Sequence, residues 1–174
     1  MNVDRFFARW FFLAIILLSG AIAGAPPAVA DRAHPDDKDA LAGLREAKVI
    51  FDITTGDAKK LLSRLELIEE TRDGMLKQGV KPRFVLAFRG PASLLVQKDQ
   101  NRIKLEDLEV AAKIAQKIGA MSKDKDYTLE QCAVANRYLK IKNEDTIPEL
   151  HVIGNSFISI AGYQNKGYSY IPID

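Results

Sequence analysis

Cysteine occurs once in the 174-residue chain, as Cys132. A single thiol excludes an intrachain disulfide, so the fold must rest on its hydrophobic core. It also excludes a lipoprotein, because no cysteine near the N-terminus is there to carry the lipid. Histidine is almost as scarce. His34 and His151 are the only two, too distant in sequence from each other and from Cys132 to form a zinc site. No excess of one charge exists either. The chain holds 25 basic and 23 acidic residues, which makes no electrostatic case for nucleic acid. Internal repeats, low-complexity tracts and long single-sign runs are absent. The stretch TTGDAKK from Thr54 is neither a phosphate-binding loop nor a dinucleotide fingerprint. Ser93 has no legible histidine and acid partners, so a serine hydrolase finds no support. No motif implies a metal or an organic cofactor.

What is present begins at the N-terminus. Arg5 and Arg9 form a basic head, an apolar run extends from Trp10 to Ala25, and Ala28-Val29-Ala30 follows two prolines. This is the layout of a secretory signal peptide cut after Ala30. The run is short for a bilayer span, which needs about 20 apolar residues. An uncleaved anchor is the alternative. No second run of spanning length follows, so the cleaved chain is expected to be periplasmic or secreted and free of the membrane. Without Asp4, Arg5 and Arg9 the charged residues fall to 23 basic and 22 acidic. The expected organisation is a signal peptide over 1–30, a flexible tether over 31–45 and one domain over 46–174.

Within that domain the periodicity alternates. Ala47 to Ile53 is a compact, branched apolar run, as in a buried strand. A Thr-Thr-Gly-Asp turn follows, then a helical stripe of Leu61, Leu65 and Ile68 that ends at Gly79. Pro82 to Phe88 predicts a second strand, stopped by Arg89-Gly90-Pro91. A second long helix is expected over Leu105 to Met121, with Leu108, Ala111, Ala115 and Ile118 on one face. A weaker strand precedes Cys132, and a short helix carrying Ala135 and Leu139 follows. Glu149 to Gly154 is a fourth strand candidate, Gly154 to Gln164 a helix, and Gly167 to Ile173 a closing strand. The pattern implies a small doubly wound α/β fold, with a mainly parallel sheet covered by helices on both faces.

In such a sheet ligands bind beyond the carboxyl ends of the strands. The ligand-binding candidates there are Thr55, Gly56 and Asp57 after the first strand, Arg89 and Gly90 after the second, and Gly154 and Asn155 after the fourth. The first group either holds an anion at a helix start or forms an ordinary capped turn. Arg89 either binds an anionic ligand or stands as exposed punctuation. His151 would serve Cys132 as a base if adjacent strand ends met. Asn136, one turn beyond Cys132, would donate a hydrogen bond to it. Glu130 would raise the thiol pKa if close.

Three pieces of this sequence resemble the DsrE/DsrF-like sulfur-relay superfamily. The first strand enters a Thr-Gly-Asp turn and a long helix. The second strand ends in RGPASLLV, Arg89 to Val96. The third piece is one cysteine at a strand end, a short helix, TIPEL at Thr146 to Leu150, and VIGNSFISIAGYQNKGYSYIPI to the end of the domain. The resemblance spans Ala47 to Ile171. It implies a three-layer α/β/α fold assembled into a homotrimer or hexamer. It also implies that Cys132 holds the catalytic position, where sulfur-carrying members bear a persulfide. One departure is the sequence after Cys132, Ala133-Val134-Ala135, where exported relatives often have a glycine and a small polar residue.

Two expectations for Cys132 follow. In the first it accepts and passes sulfur, or exchanges thiols, in the cell envelope, with a donor or acceptor protein or a small sulfur compound as partner. A helix beginning at the residue favours the thiolate, which is the nucleophile. In the second the protein is a non-catalytic oligomeric module that binds a small ligand or partner. Cys132, Ala135 and Leu139 then form a buried helix stripe.

Overall fold

The computed structural model describes residues 35–174; the expected signal segment lies outside them. One helical turn, α1 (Lys38–Leu41), falls within the expected tether, and the Asp37 amide donates to Gln78 Oε1 at 3.0 Å. The domain then follows the alternation. The strands are β1 (Glu46–Ile53), β2 (Lys81–Phe88), β3 (Tyr127–Cys132), β4 (His151–Ile153) and β5 (Ser169–Ile173). Between them lie α2 (Ala58–Lys77), α3 (Leu108–Met121), the six-residue α4 (Ala133–Tyr138) and α5 (Ser156–Asn165). A 3-10 turn over Gly90–Val96 follows β2.

All five strands run parallel in the order β4-β3-β2-β1-β5. Side chains alternate across a strand, so each strand serves two faces. Val49, Phe51 and Ile53 of β1 join Phe84, Leu86 and Phe88 of β2 under α2 and α3, where Leu61, Leu65, Ile68, Ile114 and Ile118 complete the main core. Phe51 and Phe84 meet edge to face there, with ring centroids 5.2 Å apart. Leu65 is fully buried, so its truncation to Ala should cost about 2–5 kcal/mol. The opposite face is thinner. Ile50, Val85 and Ala87 pack against Ile160 of α5, with Tyr163 and Tyr168 at the margin.

The second long helix differs from expectation at its start and on its buried face. Leu105–Asp107 is a 3-10 turn and Leu105 is exposed. The residues facing the core are Ala111, Ile114, Ile118 and Met121. Leu108 and Ala115 are only half-buried, because the helix is rotated to bring the larger Ile114 inward. Among the described residues no helix is long and apolar enough to cross a membrane.

The connections decide where a ligand can sit. The chain leaves β3 into α4, which packs beside the 3-10 turn after β2. It leaves the neighbouring β4 into α5, on the other face of the sheet. A crevice opens where adjacent strands send their connections apart, and this is where open α/β sheets bind ligands.

Candidate functional site

Cys132 is the last residue of β3 and caps α4, with extended backbone at φ −79° and ψ 115°. It faces the crevice. A cavity of about 290 Å³ lies over it, walled by Gly90 and Pro91, by Val134 and Ala135 of α4 with Leu139 at its C-cap, and by Ser156 and Phe157 at the start of α5. The walls are mainly apolar. Cys132 itself is 3 % exposed, so its sulfur is recessed beneath two outward-facing aromatics, Tyr138 and Phe157. The expected stripe of Cys132, Ala135 and Leu139 is therefore a cavity wall. The residue that α4 sends into the interior is Asn136.

The Ser156 amide donates to Cys132 Sγ at 3.3 Å. Burial pushes the Cys132 thiol up, but the Ser156 hydroxyl and the backbone N–H groups of Ser156, Ala135 and Val134 outweigh it and hold the pKa below its ordinary value. The amides at the start of α5 also carry the positive end of that helix dipole. Asn155 fixes this end by accepting the Phe157 amide at 2.9 Å.

Arg89 lines the same cavity. Its Nε and a terminal nitrogen donate to the two carboxylate oxygens of Asp52, each at 2.7 Å. Tyr170 adds a third bond to Asp52, also at 2.7 Å. The fork geometry matches guanidinium to carboxylate and neutralises a charge buried in a strand. The guanidinium carbon lies 4.9 Å from the Phe157 ring centroid, which seats that exposed ring at the cavity edge. Gly90 has φ +56°, a left-handed turn that suits glycine and directs Pro91 over the crevice.

The candidates thus divide. Arg89, Gly90 and Asn155 surround Cys132. Gly56 and Asp57 line a different cavity of about 520 Å³ beside Lys59 and Arg102. Asp57 caps α2 by accepting the Lys60 amide, and Thr55 is buried with its hydroxyl accepting the Asp57 amide. This is the capped turn. Gly56 packs so closely that a Cβ there would lie 2.8 Å from Pro91 Cβ. Gly154 is an exposed bend leading into Asn155.

Two expected partners of the thiol are corrected. His151 begins β4 and pairs with Glu130, whereas Cys132 pairs with Ile153 at the far end of that strand. His151 is exposed and does not line the cavity, because parallel pairing puts strand beginnings and ends on opposite edges. Asn136 is turned away from the sulfur and donates to Asn143 and Thr146. Glu130 is occupied by the hydroxyls of Ser159 and Tyr163. Burial and that carboxylate push Tyr163 up to about 12.

Sequence reasoning gave Ser156 no contact with the thiol and left Asp52 and Phe157 out of the site. Asp52 carried a signal, since a carboxylate inside the apolar run of β1 requires a partner. The bond from Ser156 to Cys132 carried none, because the two meet across 24 positions of chain.

A family model described as the DsrE/DsrF-like family matches residues 48–173. The chain belongs to that family. An uncharacterised protein of Aquifex aeolicus (strain VF5) is 25 % identical to this chain over 125 residues, covering 72 % of this chain and 55 % of its own length. This DsrE/DsrF-like chain thus spans about half of that relative. A solved structure, of a protein of unknown function from Methanobacterium thermoautotrophicum, superposes with a TM-score of 0.56 over 72 % of this chain and 98 % of that one, at 13 % identity. That likeness shows the fold shared by the two chains.

Proposed function

We propose that this protein carries sulfur as a persulfide on Cys132. The observation behind the reading is one recessed thiol at a strand-end crevice with amides from two helices directed at its sulfur. Those amides favour the thiolate. The thiolate attacks a sulfur of a polysulfide, a new S–S bond forms at Cys132, and the S–S bond of the donor breaks. The shortened polysulfide leaves with the electron pair. An acceptor thiolate reverses the step by attacking the outer sulfur, and Cys132 leaves as thiolate. With Cys132 the only cysteine in the sequence, no resolving thiol of the same chain can discharge the persulfide as a disulfide.

Incubated with polysulfide, the folded protein should gain the mass of one or more sulfur atoms, removable by reductant. Cys132→Ser should abolish the gain while keeping the fold. If the wild type gains nothing, the second reading takes its place. In that reading the mainly apolar cavity holds a small ligand and Cys132 packs beneath it, as its 3 % exposure favours.

We also propose that the protein works in the cell envelope, on the strength of the basic head, apolar run and Ala28-Val29-Ala30. Protein recovered from the envelope should begin at or near Asp31; full-length chain found only in membranes would show an anchor instead.

A further inference from the structure

Behind Cys132 lies a buried polar cluster that reaches the surface only at Asn143, which accepts from Asn136. Gln131, Asn136 and Ser93 are fully buried and Thr146 is 3 % exposed. Gln131 Nε2 donates to Ser93 Oγ at 2.8 Å and to Asn136 Oδ1 at 2.8 Å, and makes a longer contact of 3.3 Å with the Cys132 carbonyl. Asn136 Nδ2 in turn donates to Thr146 Oγ1 at 3.2 Å.

We propose that the Gln131–Asn136 amide pair is the positioning device for Cys132, holding the β3 to α4 turn so that its backbone amides converge on the sulfur.

The placement supports this. Gln131 precedes Cys132, so strand alternation sends its side chain to the opposite face while its backbone sets the direction of Cys132. Asn136 lies in α4, just past Val134 and Ala135, whose amides favour the thiolate. The bond between the two side chains therefore ties the strand end to the helix that follows it. A six-residue helix has little stability of its own and needs such a tie. Stability alone is a poor account of the cluster. Gln131 Oε1 is buried without a hydrogen-bond partner among the described residues, and such an oxygen costs stability that an apolar side chain would not.

The titratable groups around the sulfur are few. Arg89 at the cavity edge is bound to Asp52, Tyr138 lines the α4 wall, and Glu130 on the same strand is held by Ser159 and Tyr163. None of their side chains is hydrogen-bonded to the Gln131 side chain, whose partners are Ser93, Asn136 and the Cys132 carbonyl, so a change in thiol pKa on replacing Gln131 would report the turn.

The inference rests on the carrier reading of Cys132, but its test does not use sulfur transfer. The ultraviolet thiolate absorbance of Cys132 is titrated against pH, with Cys132→Ser as the blank. Gln131→Met should raise the thiol pKa by about one unit. Thr146→Val, a milder change at the far end of the cluster, should raise it less, in the same direction. A lowered melting temperature with unchanged thiol pKa in either folded variant would overturn the proposal and leave the cluster as packing. A pKa that moves as expected while the wild type takes up no sulfur from polysulfide would sustain the positioning role and remove the carrier reading.

Discussion

Asp52 and Arg89 grip each other across adjacent strands through two bonds of 2.7 Å, one to each carboxylate oxygen. The Asp52 side chain is almost wholly buried, whereas about a quarter of the Arg89 side chain reaches solvent. Removing the cation alone would strand a carboxylate in the sheet. Arg89→Met should therefore lower stability by about 2–3 kcal/mol, below the usual range for fully buried pairs because Arg89 is partly solvated. Adding Asp52→Asn should restore part of the loss. Denaturant unfolding of the three proteins measures both effects, and an Arg89→Met midpoint equal to wild type would show that the pair contributes nothing.

Stability should also follow the thiol. The folded-state pKa of Cys132 lies below its ordinary value of 9.0. A depressed acid contributes stability that is complete above its unfolded pKa and is lost as pH falls through the folded pKa. The stability of the wild type relative to Cys132→Ser should thus rise as pH climbs toward 9.0 and then level off. Paired unfolding curves over that window test the sign; a flat or falling difference would mean that burial wins over the amides.

Phe157 is 65 % exposed yet lines the cavity above Cys132, which is 3 % exposed. Phe157→Ala should open the crevice and speed alkylation of Cys132 by a small neutral reagent several-fold. The melting temperature should change little, since the ring buries little area. Equal alkylation rates would show that access is limited elsewhere.

Ile158, Tyr170 and Ile171 are exposed, and β5 is an edge strand of the sheet. We propose that these residues bury against a second copy of the chain within a trimer or hexamer. Light scattering at micromolar concentration should report the assembly, and Ile158→Asp should weaken it. A monomeric wild type would remove the proposal.

The strands and long helices were legible because burial imposes a period. The branched run before the Thr-Gly-Asp turn and the stripe of Leu61, Leu65 and Ile68 each mark one face of one element. The site was legible only as an address. Cys132, Arg89, Gly90 and Asn155 were placed at the strand ends, and the structure gathers them around one cavity. Which neighbours reach the sulfur depends on register and helix rotation, which no local pattern encodes. His151 belongs to the far end of β4 because of a parallel register, and Asn136 points inward because Gln131 and Thr146 are there to receive it. Ile114 was missed for a related reason. A stripe through Ala111 and Ile118 is compatible with two neighbouring rotations, and tertiary packing selects between them.

The return of β5 to β1 bears on how the molecule comes into being. Tyr170 and Asp52 stand 118 positions apart in the chain, and parallel pairing leaves no hairpin to shorten any closure. Long closures of this kind slow folding. Until β5 is available, β1 presents an open edge and Arg89 holds Asp52 without its third bond. The growing chain is thus exposed to wrong strand pairing at β1 until β5 has been made. Loss of β5 should therefore harm yield and solubility more than its exposure in the folded domain suggests.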